Sequence, residues 1–452
     1  MGQLRTTVDI AGGKQPPKHG LIAAVLSAMA CGLGQLYNRQ YIKGVLLLAL
    51  EAAGLIYLID NLGRAVWGLI TLGETPTKQI KVGEVFQNVP GDHSIFLMIN
   101  GLITVFAFLL FIAAYIVNVK DAYLIGKQRE EGIVPNRFVL TLKYLSDKKF
   151  AQLFLLLPAI GILFFTVLPI VFMVLLAFTN FSSPDHVPPA KLVNWVGFQT
   201  FKDLLLLKTW SGTFFGVLKW TIIWAVSATV TTYFGGFLVA LLVQQKDIRF
   251  KGFWRTILII PYAIPALISL LMMRNMFNAQ FGPINQYLGS LGIYQPQWLT
   301  DPTWAKITVV LVNMWIGIPV SMILIMGVLT TISKDLYEAA EVDGASAFQK
   351  FRIVTLPLVL FTTAPVLIGQ FAGNFNNFNA IFLLTGGGPT VGGYQFAGAT
   401  DLLVTWLFNL TLSQLKYNIA SAIGIIVFFI VASFSIWNFS RSRSFREEDM
   451  IQ

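Results

Sequence analysis

The sequence predicts an all-α, polytopic membrane protein with about eight transmembrane helices. Three observations predict it. Apolar runs recur along the chain at lengths that can cross a bilayer, which takes about 20 residues of helix. Charged residues make up 12% of the chain, about half of the roughly 25% usual in soluble domains. Lys and Arg gather in alternate loops, so the formal charge of +10 reads as cytoplasmic loop bias rather than a nucleic-acid footprint.

Taken in order, residues 1–20 are polar, carry Arg5, Lys14 and Lys18, and do not read as a signal peptide, because many further spans follow. Leu21–Tyr37 is apolar but short, and ends in GLGQLYNRQ. Lys43–Ile59 follows with Glu51 inside it. A carboxylate within a span is a candidate functional group, with pairing to Lys43 or Arg64 as the structural alternative. Further apolar runs cover about 94–119, 151–178, 221–243, 254–273, 304–330, 358–384 and 416–438. The 120–150 segment contains Lys120, Lys127, Arg129, Arg137, Lys143, Lys148 and Lys149, which places it in the cytoplasm. Alternation then puts 244–253, 333–357 and the tail from Arg441 inside, and 60–93 outside. A span at 21–37 would throw the basic N-terminus outside, so eight spans are expected, with 21–37 at the cytoplasmic face and a membrane-crossing hairpin there as the alternative. Three regions result: an N-terminal region over 1–150, a membrane core over 151–440 and a cytoplasmic tail over 441–452.

The window Ser333–Pro357 interrupts this apolar pattern with charge. It reads as two short surface helices. Ser333 caps the first, Gly344 turns its C-terminus and Ser346 caps the second. Pro357 marks the entry to the next span, where a missing N–H is tolerated.

Polar side chains inside the later spans are the other signal. Gln370, Asn374 and Asn377 fall at i, i+4 and i+7, as do Asn313, Gly317 and Val320. Carboxamides in a bilayer need partners, so these stripes face either a neighbouring helix or a wet cavity. Two such stripes, with Tyr262 between Pro261 and Pro265 in a third run, point to a polar solute pathway. Amides both donate to and accept from hydroxyls, and glycines such as Gly373 would widen the path. Tyr262 and Phe378 could stack on a sugar ring. No ring of charges lines these runs, which favours a neutral, hydroxyl-rich solute over an ion. The aromatic stretch Asn194–Leu205 is expected to pack on the outer surface.

Chemistry of the chain's own is not expected. One cysteine, Cys31, and three scattered histidines make no metal set. The cluster LTGGGPTVGG at Leu384–Gly393 lacks the lysine of a phosphate-binding loop. The chain is therefore not expected to be an enzyme or to hold a cofactor.

Glu338-Ala339-Ala340, Gly344 and Val354-Thr355-Leu356-Pro357 resemble the EAA loop of permease subunits in binding-protein-dependent ABC importers, with the spacing fully matched and Val where Ile is usual. The resemblance covers about 150–440 and is strongest to the larger permease of maltose/maltodextrin importers, while GLGQLYNRQYIKG is similar to the N-terminal part of such permeases in Gram-positive bacteria. It implies a type I importer permease fold in the bacterial plasma membrane. It implies a second homologous permease, two ATPase subunits that bind ATP and Mg, and an extracytoplasmic sugar-binding lipoprotein, with membrane lipid around the spans and no nucleic acid. Glu338, Ala339, Ala340, Asp343, Gly344 and Pro357 would couple to an ATPase subunit. Tyr262, Asn313, Ile316, Gly317, Asn374 and Asn377 would contact the sugar. Ala266, Val320, Gln370 and Gly373 depart from the better-known maltose permease, and the 180–213 loop has no room for the large external domain of enterobacterial members. The alternatives are another oligosaccharide, such as galacto-oligosaccharides, or an ion-coupled secondary transporter, for which only Glu51 speaks.

Overall fold

The computed structural model of the chain describes residues 18–82, 85–135, 140, 143, 146–188, 191–245 and 247–441. The basic N-terminal residues Arg5 and Lys14 and the tail beyond Arg441 lie outside them. The chain folds as two compact units, residues 1–195 and 196–452.

In the first unit, α1 (His19–Met29) and α2 (Leu33–Tyr37) replace any spanning helix at 21–37. Eleven residues rise only about 16 Å, half a bilayer core. Two long apolar helices follow, α3 (Tyr41–Thr71) and α4 (Ser94–Glu130). Between them lies a small antiparallel hairpin that the apolar pattern does not announce: β1 (Lys78–Val82) pairs with β2 (Val85–Val89). Asp92 ties its base, accepting from the backbone N–H groups of Glu74 and Thr75 at 3.0 and 2.9 Å. Next, α5 (Phe150–Ile162) and α6 (Leu168–Ala177) form one apolar span joined by a π turn at Leu163–Val167.

The π turn has a local cause. Pro169 lacks an N–H, and its ring would crowd the carbonyl four residues back. Widening the preceding turn, so that Leu168 N donates to Leu163 O, relieves this. The same device recurs at Phe351–Thr355, just before Pro357.

Glu51 pairs with neither Lys43 nor Arg64. Its Oε2 accepts the backbone N–H of Cys31 at 2.8 Å, while Lys43 Nζ reaches Asp121 Oδ2 at 2.6 Å. Glu51 thus satisfies a backbone N–H in the turn between α1 and α2.

The second unit begins with α7 (Gln199–Leu206), which buries Thr200 and Leu204 as an amphipathic surface helix would. The central element is α8 (Lys208–Gln244), which packs along α12 (Pro302–Thr331) and α15 (Leu356–Phe375). Around it stand α9 (Lys251–Ala263), α10 (Ala266–Met276), α11 (Pro283–Ser290), α16 (Phe378–Leu384), α17 (Leu403–Leu412) and α18 (Tyr417–Arg441). Trp220, Trp224, Val309, Val312, Ile381 and Leu384 form one buried cluster, and Tyr233, Phe237, Met322, Ile325 and Val359 form the next along α8.

Among the described residues, 7 helices are long and apolar enough to cross a membrane, or 8 when α9 and α10 count as one broken span. That matches the expected eight. The 254–273 run is not straight, however: α9 and α10 meet at 91°. Pro261 and Pro265 flank the break, and Pro265 denies the backbone an N–H where the helix would continue.

Candidate functional site

Two surfaces carry the residues of interest. The first is the polar hairpin between α12 and α15. Ser333 accepts from Asp335 N and opens α13 (Lys334–Val342). Gly344 closes it in the left-handed region at φ 76°, with Ala345 N donating to Ala340 O at 2.9 Å and Gly344 N to Glu341 O at 3.0 Å. Ser346 and Gln349 form a reciprocal capping box for α14 (Ala347–Lys350). All three expected capping residues are in place.

This hairpin is tethered at its root and bare elsewhere. Tyr337 OH meets Thr355 Oγ1 at 3.0 Å, and Lys350 Nζ meets Glu341 Oε2 at 3.2 Å. No residue of α13 is buried; Val342 is 88% exposed and Phe348 68% exposed. Glu338, Ala339, Asp343 and Gly344 are exposed beside them. Apolar side chains thus stand exposed on a charged loop. From α14 the helix runs on through the π turn into α15.

The second surface is the polar stripe within the spans, and the structure redraws it. The helix expected over 358–384 breaks at Asn376, so Asn377 does not continue the face of Gln370 and Asn374. Asn377 instead caps α16, accepting from Ala380 N at 3.2 Å. Asn374 is buried; its Nδ2 donates to Thr229 Oγ1 at 3.0 Å, and its backbone carbonyl accepts from Trp224 Nε1 at 3.0 Å. Gln370 Nε2 reaches Thr232 Oγ1 and Ser321 Oγ, each at 3.4 Å. The hydroxyl row Thr229, Thr232 and Ser321 is thus part of the stripe. In the sequence only the spacing of the two threonines along α8 hinted at it.

Gly317 does not widen a cavity. A Cβ there would lie 3.0 Å from Thr232 Cβ, so the glycine lets α8 and α12 approach closely. Gly373 differs, since a Cβ would meet nothing within 4 Å. Ile316 packs against the Trp224 cluster. Asn313 is half-buried, and its carboxamide bonds to no described residue. Tyr262, 58% exposed, stands at the end of α9, just before the break. A bent apolar segment leaves backbone groups unpaired by helix and lines a path only where water or protein can meet them.

Above these helices the glycine-rich loop is held by one buried carboxylate. Asp401 Oδ2 accepts from Gly398 N at 2.7 Å, and its Oδ1 accepts from Thr405 Oγ1 at 2.7 Å. Burial, which outweighs these two hydrogen bonds, pushes its carboxyl up to about 6. Among the described residues no group of His, Cys, Asp and Glu could hold a metal ion.

The family described as "Binding-protein-dependent transport system inner membrane component" matches residues 233–444. The chain is 41% identical over 436 residues to the galactooligosaccharides transport system permease protein of Bacillus subtilis, covering 95% of this chain and 100% of the relative. It is 36% identical over 448 residues to the maltodextrin transport system permease protein of Streptococcus pneumoniae, covering 97% and 98%. Among solved structures, a bacterial ABC transporter involved in the import of the acidic polysaccharide alginate aligns with a TM-score of 0.55 at 22% identity, covering 67% of this chain and 98% of that one. That likeness concerns the fold.

Proposed function

The chain belongs to the family of binding-protein-dependent transport system inner membrane components, and from that premise we propose that it is a pathway-forming permease of an ATP-driven oligosaccharide importer. The observation that carries this reading is the bare, tethered hairpin α13–α14 set between two apolar spans. Separate ATPase subunits, binding ATP and Mg, would cover it. A second permease would complete the pathway, and an extracytoplasmic binding protein would deliver the sugar.

The geometry offers a route for coupling. A displacement of α13 reaches Thr355 through the Tyr337 hydroxyl and so enters α15 at its root. Asn374 lies 19 residues further along that helix, about 28 Å away. A stiff helix carries a shift over that length to the hydroxyl and amide row that it shares with α8. Two positions of one rigid element are what alternating access requires.

Maltodextrin is the substrate this reading prefers. Asn313 offers a whole carboxamide, and Asn374 retains its Oδ1, as groups that neutral hydroxyls can bond. Tyr262 and Ile316 would supply apolar contact, and Gly317 and Asn377 would shape the pathway's wall. A galacto-oligosaccharide is the second reading, favoured by the 41% identity to the galactooligosaccharide relative along its whole length. The test is direct: purify the chain with its partner subunits and measure ATP hydrolysis with binding protein loaded with either sugar. Stimulation by the maltodextrin-loaded form supports the first reading. Stimulation by the galactan form alone replaces it with the second, and stimulation by neither refutes both.

A further inference from the structure

The GLGQLYNRQYIKG stretch is not used by the coupling or pathway surfaces, yet it builds a specific place. Between its turn and the end of α4 lies a cavity of about 700 Å³. Three basic side chains line it, His19, Arg39 and Arg129, and its lining contains no carboxylate. Two of the nearby acids are occupied: Asp121 holds Lys43 at 2.6 Å, and Glu130 Oε1 accepts from Gly20 N at 2.8 Å; Glu131, next to the lining Gly132, is exposed.

The basic groups are positioned rather than trailing. Arg129 Nη1 donates to Tyr37 O at 2.7 Å, and its guanidinium stands 5.3 Å over the Tyr37 ring. His19 Nδ1 meets Tyr37 OH at 2.7 Å. Arg39 sits in the left-handed region at φ 63°, an unfavourable conformation for a side-chain-bearing residue, and turns an exposed guanidinium outward that bonds to no described residue. The turn therefore keeps one charge free beside a cavity already basic.

The rim has the opposite character. Tyr41, Ile42 and Val134 are 65%, 58% and 84% exposed. Tyr41 is also the first residue of a membrane-spanning helix, so the cavity stands where polar surface gives way to hydrocarbon. The first-turn N–H groups of α3 open there without a side-chain cap, which adds positive potential.

We propose that this cavity binds the headgroup of an anionic phospholipid of the cytoplasmic leaflet, its phosphate between Arg39 and Arg129 and its acyl chains along the apolar rim. Clusters of basic residues at this depth recognise such lipids. The rim argues for a lipid over a free phosphate ion, which would gain nothing from Ile42 or Val134.

Native mass spectrometry of the purified full-length chain with its co-purifying subunits tests this, with phosphatidylglycerol or phosphatidylcholine added at equal mole fraction. R39Q should lower phosphatidylglycerol retention about fivefold, the effect of one surface cation, and leave phosphatidylcholine retention and basal ATP hydrolysis unchanged; R39K should restore retention. V134S, which removes apolar rim surface without adding charge, should lower phosphatidylglycerol retention as well. Equal retention of both lipids by the wild type would overturn the proposal, as would wild-type phosphatidylglycerol retention in R39Q and V134S. Arg39-dependent binding of inorganic phosphate that V134S does not weaken would replace the lipid with a soluble anion.

Discussion

Gly344 offers a way to separate what this chain needs for itself from what it needs for a partner. At φ 76° it lies in the left-handed region, where an L-residue costs roughly 1–2 kcal/mol. A Cβ at that position would meet no atom within 4 Å, so the chain itself has room for any side chain. Gly344→Asn should therefore behave nearly as wild type, since Asn tolerates this conformation best. Gly344→Trp adds only the local backbone term to the chain but projects an indole from the exposed surface beside Val342. Loss of a contact on the scale of an interface hot spot, about 2 kcal/mol, weakens association roughly 30-fold. In proteoliposomes with the partner subunits, Gly344→Trp should keep membrane insertion while sugar uptake and binding-protein-stimulated ATP hydrolysis collapse. Wild-type uptake by Gly344→Trp would refute the coupling role, and failure of insertion would refute the claim that the turn is locally accommodated.

Asn374→Leu removes an amide whose bond to Thr229 is worth about 0.6 kcal/mol between membrane helices. Thr229 keeps its own bond to Ala225 O at 2.7 Å. Assembly with the ATPase should survive while uptake is lost by at least about tenfold, the scale of one hydrogen bond to a ligand; intact uptake would make Asn374 an interhelical tie and nothing more. Asp401 makes stability depend on pH. Burial pushes its carboxyl up to about 6 from the ordinary carboxylate range, so between the two the folded chain binds more protons than the unfolded one. Its contribution is then greatest in acid and is lost as pH rises through about 6. In melting scans from pH 5 to about 7, Asp401→Asn should flatten part of the wild-type decline; parallel curves would show that the buried carboxylate is not the titrating group.

How much of this was legible in the sequence follows from the range of each interaction. Ser333, Gly344 and Ser346 act on backbone groups within three or four residues, so their roles could be read from spacing alone. The apolar spans were legible for the same reason, since length against bilayer thickness is a property of one segment. Pro261 and Pro265 were visible within the 254–273 run, but the 91° break beside them was not. The break at Asn376 was not visible either, and it moved Asn377 from the polar face to a helix cap.

What the tertiary structure alone decided is which groups meet. Glu51 could have paired with Lys43 or Arg64 by proximity in sequence, yet it accepts from Cys31, because the α1–α2 turn folds back over α3. Gly317 fell on a polar stripe by spacing and proved to be a point of close approach to Thr232. Asn374 and Gln370 were recognisable as groups needing partners, because unsatisfied amides are unfavourable in any bilayer. That Thr229, Thr232 and Ser321 are those partners depends on how α8, α12 and α15 cross. The sequence by itself determined that the chain spans the membrane and that a charged hairpin interrupts its spans, because those properties sum over neighbouring residues. The identity of each buried contact waited on the packing of helices distant in sequence.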